Sequence, residues 1–220
     1  MRLFLVAVMS VFFLLGGTTL GFSQPAPVFA VNFAKQSLEG VFNFFSPAKP
    51  ALSADDERRQ RLKEALLMEC ECSDAGTNRG KIEEIIAELA PLSPVTATAE
   101  SNLLQKKWLL LWTTEKEINA FITWGISGDV SQTINGNELE NMIPFRKGGG
   151  LGVSGSLSIP ENGGKRTNFK FTTAALDFAK WGKFNIPPIG EGWFDTLYLD
   201  EDLRVDANSR DDILICAPFE

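Results

Sequence analysis

The sequence predicts a mainly β fold with an N-terminal helical part: an antiparallel β-barrel capped by two short helices. Three observations point there. The hydrophobic period changes from 3.6 to 2 at Lys106. Eight or nine short alternating segments follow, separated by Asn-Gly, Gly-Gly and Pro-Pro turn signals. Closing a sheet of about eight strands removes its exposed edges and leaves an interior that fits side chains or one small apolar ligand.

The chain has 220 residues and 44% apolar content, enough for one ordinary domain once a leader is set aside. Residues Met1 to Leu15 carry one early Arg and then LFLVAVMSVFFLL, too short to span a bilayer comfortably but the right length for the apolar core of a signal peptide. Thr19 and Gly21 supply small residues at the −3 and −1 positions of a cleavage site, giving a signal peptide over about residues 1–21. The following FSQPAPVFAVNFAKQSLEG holds a single acid and is like a transit peptide, which covers residues 22–50. Such a bipartite leader resembles those that carry proteins into plastids bounded by extra membranes, as in many algae. Secretion and a retained N-terminal anchor are the alternatives; secreted domains commonly show Asn-x-Ser/Thr sites and paired cysteines, and this chain has neither pattern.

The body starts with a Ser53 cap and first-turn acids ahead of Leu62, Ala65, Leu66 and Met68, an amphipathic helix. After CSDAGTNRG, a second helix places Ile82, Ile85, Ile86 and Leu89 on one stripe and ends before Pro91. PLSPVTATAESN reads as an extended surface connector, so residues 51–98 form the helical region and 99–220 the barrel, together one domain. KKWLLLWTT alternates Trp108, Leu110 and Trp112 against Leu109 and Leu111, a strand covered on both sides. Further strands are expected at AFITWGI, GDVSQTIN, NELENMIPF, GLGVSGSLSI, RTNFKFTT, ALDFAKWGKFNI, WFDTLYLDEDLRVD and DILICAPF.

Several chemistries are excluded or disfavoured. The chain has no histidine, which removes Ser-His-Asp, Cys-His and zinc-histidine sites. Three cysteines cannot all pair, and Cys70 and Cys72 point to different helix faces, so ordinary thiols are expected and no metal. The net charge is −7, and beyond residue 50 there are 18 basic and 27 acidic residues, a balance that repels nucleic acid. Gly150-Leu-Gly152-Val-Ser-Gly155 fits GxGxxG, but a strand and a turn follow it instead of a helix N-terminus, so these glycines serve a bend or a close backbone approach. LGVSGS fails the GxSxG nucleophile elbow.

WFDTLYLDEDLRVD mixes bulk and charge on both faces. Alternation puts Phe194, Thr196, Tyr198 and Asp200 on one side and Trp193, Asp195, Leu197 and Leu199 on the other. If the strand continues past Asp202, Arg204 shares a side with Asp200 and Tyr198, and an Arg-carboxylate pair beside a phenol forms. That pair either orients a ligand head inside the barrel or is a structural ion pair at its mouth, the second reading being favoured. Nothing separates the carboxylates in pKa, so acid-base catalysis is a residual reading.

These residues also carry a resemblance. GEGWFDTLYLDEDLRV, with its specific fit over Gly192 to Arg204, resembles the C-terminal signature of the plastid-lipid-associated protein family, the plastoglobulins or fibrillins: glycine and an aromatic leading into D/E-T-x-Y-L-D-x-x-x-R. Trp108-Leu-Leu-Leu-Trp112-Thr-Thr is similar to its W-x-L-L-Y-T-T first strand, with Trp112 in the tyrosine position and Lys106 where a glycine is common. Leu89, Leu92, Pro94 and Thr96 look like its L-E-x-L-N-P-T region, with Ala90 and Ser93 in place of Glu and Asn, and DANSRDD replaces its R-G-x-x-G.

The resemblance implies a lipocalin-like barrel in the plastid, at thylakoids or plastoglobules, that binds or carries prenylquinones, carotenoids or other lipids without catalysis or a cofactor. By analogy the ligand-facing set is Trp108, Trp112, Phe169, Phe171 and Tyr198, with Asp195, Asp200 and Arg204 as polar members. The content of 17 Phe and 5 Trp suits a lined interior and a solid core alike. A scaffold that coats lipid bodies or holds an isoprenoid-quinone biosynthetic enzyme is the alternative, a quinone- or isoprenoid-modifying enzyme a minor one. Because the body is acidic, attachment to lipid needs an apolar patch, the N-terminal helix or a protein partner.

Overall fold

Ser53 begins the first helix as its sequence position predicts: its hydroxyl accepts from the Asp56 backbone N–H (3.1 Å) and donates to the Asp56 carboxylate (2.7 Å). That bond, with Arg59 nearby, lowers the Asp56 pKa. The computed structural model describes residues 53–72, 77–123, 126–188 and 190–219; the predicted leader lies outside them. The helices are α1 (Ala54–Cys72), α2 (Arg79–Leu89) and α3 (Lys116–Thr123). The strands are β1 (Lys107–Thr113), β2 (Ser131–Asn135), β3 (Glu138–Pro144), β4 (Gly150–Ser158), β5 (Arg166–Asp177), β6 (Lys183–Ile186), β7 (Glu191–Leu199), β8 (Arg204–Asn208) and β9 (Ile213–Pro218).

All nine strands join one antiparallel sheet in the order β4-β3-β2-β1-β9-β8-β7-β5-β6, and β4 also pairs with β5. The pairings therefore run in a ring through eight strands. The 12-residue β5 serves two neighbours on its other side, β7 along Arg166–Lys170 and β6 along Ala174–Asp177.

Alternation assigns the side chains to two layers. Trp108, Ile134, Leu139, Leu157, Phe194, Leu199 and Cys216 come from all round the ring and meet in its interior, with Phe169 and Phe171 packed against them. On the outer face of the β1-β9-β8-β7 wall, Trp112, Tyr198, Val205 and Ile215 pack against Leu66, Ile82, Ile86 and Leu89 of α1 and α2. The helices thus cover a wall instead of capping a mouth. At one end of the ring, Phe121 of α3 packs with Leu151 and Leu176.

Two bulges make this division. Leu110 pairs with Cys216 but Trp112 with Ile215, so Leu111 is an extra residue in β1; Thr196 pairs with Asp206 but Tyr198 with Val205, so Leu197 is an extra residue in β7. Each insertion reverses the alternation beyond it. Trp108 and Trp112, expected on one face, lie on opposite faces, as do Phe194 and Tyr198. A third bulge at Thr172 in β5 brings strands so close that a Cβ at Gly155 would lie 2.4 Å from the Lys170 carbonyl oxygen, the close approach expected of a strand glycine.

Other differences from the sequence reading are local. AFITWGI contributes to α3, because Ile118, Phe121 and Ile122 have helical spacing once Lys116–Asn119 are included, and the Asn119 side chain donates to the Thr113 carbonyl (2.8 Å). RTNFKFTT runs on into ALD as the single strand β5. WFDTLYLDEDLRVD splits into β7 and β8 around a turn at Asp200–Leu203. The connector holds three short 3₁₀ turns and is pinned inward: the buried Thr98 hydroxyl donates to the Thr196 carbonyl (2.9 Å), and the Ser93 hydroxyl accepts from the Leu199 N–H (3.3 Å). Met68, placed on the apolar stripe of α1, is 63% exposed, and Lys63, Leu66 and Cys70 form the buried stripe instead.

The layers yield a direct test in urea denaturation. Leu66→Ala, at the centre of the outer layer, should lower stability by about 3 kcal/mol, whereas Met68→Ala should change it by less than about 0.5 kcal/mol.

Candidate functional site

The first polar group of the site is set by the turn that ends β7. Asp200 Oδ1 accepts from the backbone N–H groups of Asp202 (2.9 Å) and Leu203 (2.8 Å), which reverses the chain and starts β8 at Arg204, opposite Leu199. Arg204 therefore faces the interior, while Asp200 stays at the outer wall. The expected Arg204–Asp200 pair does not form, because a turn lies where a continuous strand was assumed.

Inside the ring, Arg204 is fully buried. Its Nη2 lies 2.9 Å from Asp206 Oδ2, two residues on and on the same face, and also donates to Gln132 Oε1. Thr196 Oγ1 donates to Asp206 Oδ1 (2.7 Å), and Gln132 Nε2 donates to Asn141 Oδ1 (2.9 Å). The guanidinium carbon sits 5.2 Å from the Trp108 ring centre and 5.9 Å from that of Phe194. Burial raises the Asp206 pKa, outweighing Arg204 and Thr196, and pushes the neighbouring Cys216 thiol up to about 12. Among the described residues, Arg204 Nε and Nη1 are buried with no hydrogen-bond partner. Phe169 and Phe171 lie 5.1 Å apart in the same interior, and Gly192, opposite Phe169, leaves room for its ring: a Cβ there would approach it to 3.1 Å.

The remaining candidates lie on the outer face. Asp195 takes both Nε (2.8 Å) and Nη2 (2.7 Å) of Arg166, whose guanidinium stacks 3.7 Å over Trp193. Tyr198 Oη donates to Asp200 Oδ2 (2.5 Å), and Lys63 Nζ of α1 lies 2.6 Å from the same oxygen. Burial opposes the charge on Asp200, but the bonds from Lys63 and Tyr198 prevail and hold its pKa below the usual value; burial and the Asp200 carboxylate push the Tyr198 phenol up. Tyr198, Asp200 and Lys63 thus clamp α1 to the β7–β8 turn, and Trp112 packs in the same outer layer.

Sequence reasoning missed Lys63, Gln132 and Asp206. A lysine three residues before Leu66 and seven before Cys70, on the buried stripe of a helix, was the available signal for the first. Arg-x-Asp alternation within β8 was the signal for the last. Among the described residues no group of three His, Cys, Asp or Glu could hold a metal ion, and no helix is long and apolar enough to cross a membrane.

The clamp can be measured by a double-mutant cycle. Asp200→Ala should cost about 3 kcal/mol by stranding Lys63, and much less in a Lys63→Met background. The depressed folded pKa fixes the pH sign: the contribution of Asp200 is complete above the ordinary value of 3.8 and is lost as pH falls through the lower folded value. Asp200→Asn should therefore flatten the acid limb of a stability-versus-pH curve.

With this geometry established, known proteins can be compared. The PAP_fibrillin family model matches residues 60–217. "Probable plastid-lipid-associated protein 11, chloroplastic", of Arabidopsis thaliana, is 34% identical over 150 residues, 64% of this chain and 69% of the relative. No solved structure matches. The plastid destination expected from the leader agrees with that relative, and the chain is assigned to the plastid. The signature over Gly192–Arg204 and nearly all of the helical pair and the ring-like sheet fall within the matched span, and the chain belongs to the PAP/fibrillin family of plastid-lipid-associated proteins.

Proposed function

We propose that the protein binds or carries a small hydrophobic molecule, a prenylquinone, carotenoid or other lipid, at thylakoids or plastoglobules, and that its ring-like sheet works as a lipocalin-like barrel. The role is non-catalytic. In this reading residues 1–50 are a signal-plus-transit leader removed on import, and residues 51–98 and 99–220 act together as one domain.

One observation carries the reading. Arg204 lies fully buried among interior aromatics, and among the described residues Nη2 is engaged while Nε and Nη1 have no hydrogen-bond partner. Leaving buried donors unmade costs about 1–3 kcal/mol, and an acceptor oxygen on a bound ligand would recover it. Of the candidate ligands this favours those bearing such an oxygen, for example the carbonyl of a prenylquinone. Trp108, Phe169 and Phe171 keep a ligand-facing role with Arg204. Trp112, Asp195, Tyr198 and Asp200 serve the outer wall.

Mass spectrometry of lipids that co-purify with plastid-isolated protein tests the reading, the expected result being an oxygenated prenyl lipid in stoichiometric amount. Arg204→Met alone strands Asp206, so the paired Arg204→Met/Asp206→Asn variant is the informative one: it should keep the fold and lose about tenfold or more in ligand retention. A folded wild-type protein that carries no lipid and gives no saturable Trp fluorescence response to prenylquinone would overturn it.

A further inference from the structure

The turn after β3 and the turn after β5 meet at one end of the ring. A Cβ at Gly148 would lie 3.3 Å from the Ala179 Cβ, and one at Gly149 would fall 2.1 Å from the Asp177 carbonyl oxygen, so the two backbones touch. Gly148 and Gly149 have φ of 92° and 83°, and Ala179 has φ of 52° with its N–H held by the Asp177 carboxylate (2.8 Å). These turns form a built tip. It carries four exposed cations, Arg146, Lys147, Lys180 and Lys183, and Asp177, the acid in these turns, is engaged with the backbone. In a chain of net charge −7 this is a basic island.

The same tip exposes large aromatics. Trp181 is 60% exposed and Phe184 51%, and both rings pack on Phe178, at 6.5 Å and 6.0 Å. Because among the described residues β6 pairs with β5 alone, this hairpin stands at the margin of the ring. Trp and Phe interleaved with Lys is the composition that sits at a lipid-water boundary: ring faces enter the headgroup layer while the ammonium groups meet anionic headgroups.

We propose that this tip, residues 145–149 and 177–184, is the surface by which the protein docks on an anionic lipid layer. Charge selects that partner, since the acidic body is repelled by such a layer while this basic tip is attracted to it. The inference stands on different residues from the interior-ligand reading.

The test uses the full chain with vesicles of phosphatidylcholine alone or mixed with phosphatidylglycerol, read by hydrogen exchange so that binding by other segments is resolved separately. The expected result is protection of residues 145–149 and 177–184 on the anionic vesicles, weakened by salt. Lys180→Gln/Lys183→Gln should reduce this tip-dependent partition about thirtyfold, from about 1 kcal/mol per lysine. Trp181→Ser/Phe184→Ser should reduce it roughly tenfold or more, and both double variants should keep wild-type ligand retention, because the altered side chains are exposed. Protection confined to other segments, or variants that bind like wild type, would overturn the proposal without touching the interior reading. Loss of interior ligand with tip protection intact would do the reverse.

Discussion

A strand offers alternate side chains to alternate faces, so a single extra residue re-addresses everything beyond it. Leu111 in β1 and Leu197 in β7 are such residues, in two strands of the same wall. Before each bulge the wall supplies the interior with Trp108, Phe194 and Thr196; beyond each, it supplies the helical layer with Trp112 and Tyr198. Without both insertions, two of the largest side chains would crowd the interior, and α1 and α2 would keep Val205 and Ile215 but lose Trp112 and Tyr198 from the surface they cover.

The class of fold and most strands were legible because period-2 alternation and Asn-Gly, Gly-Gly and Pro-Pro turns are local signals. The stripe Ile82, Ile85, Ile86 and Leu89 was legible for the same reason. A bulge has no comparable signature: LLLW and TLYL read as ordinary alternation, and only the partner's register exposes the extra residue. That explains why Trp112 and Tyr198 were expected beside Trp108. Arg204 was singled out as a polar candidate, but its partner depends on a turn that Asp200 builds with its own side chain, and Asp206 only becomes its neighbour once β8 starts afresh. Lys63 lies 137 residues from Asp200, beyond any local pattern.

Two acids of the same signature region show how burial divides labour. Asp200 is reached by a lysine, a phenol and two backbone N–H groups, and its charge is favoured. Asp206, deeper, has one hydroxyl and a guanidinium, and burial works against its charge. A satisfied carboxylate suits fastening, whereas an under-satisfied polar pair suits contact with something that arrives later.

Among the described residues, the sheet has a loose margin at β6. This strand has β5 on one side and no partner on the other among the described residues, and an open edge of that kind invites pairing with the edge of another molecule. Here it is only four residues long, opens with Lys183 and is followed directly by Pro187 and Pro188, which lack the N–H a foreign strand would need. Shortness, charge and proline together protect against fibril-like stacking at a margin that closure of the sheet leaves open.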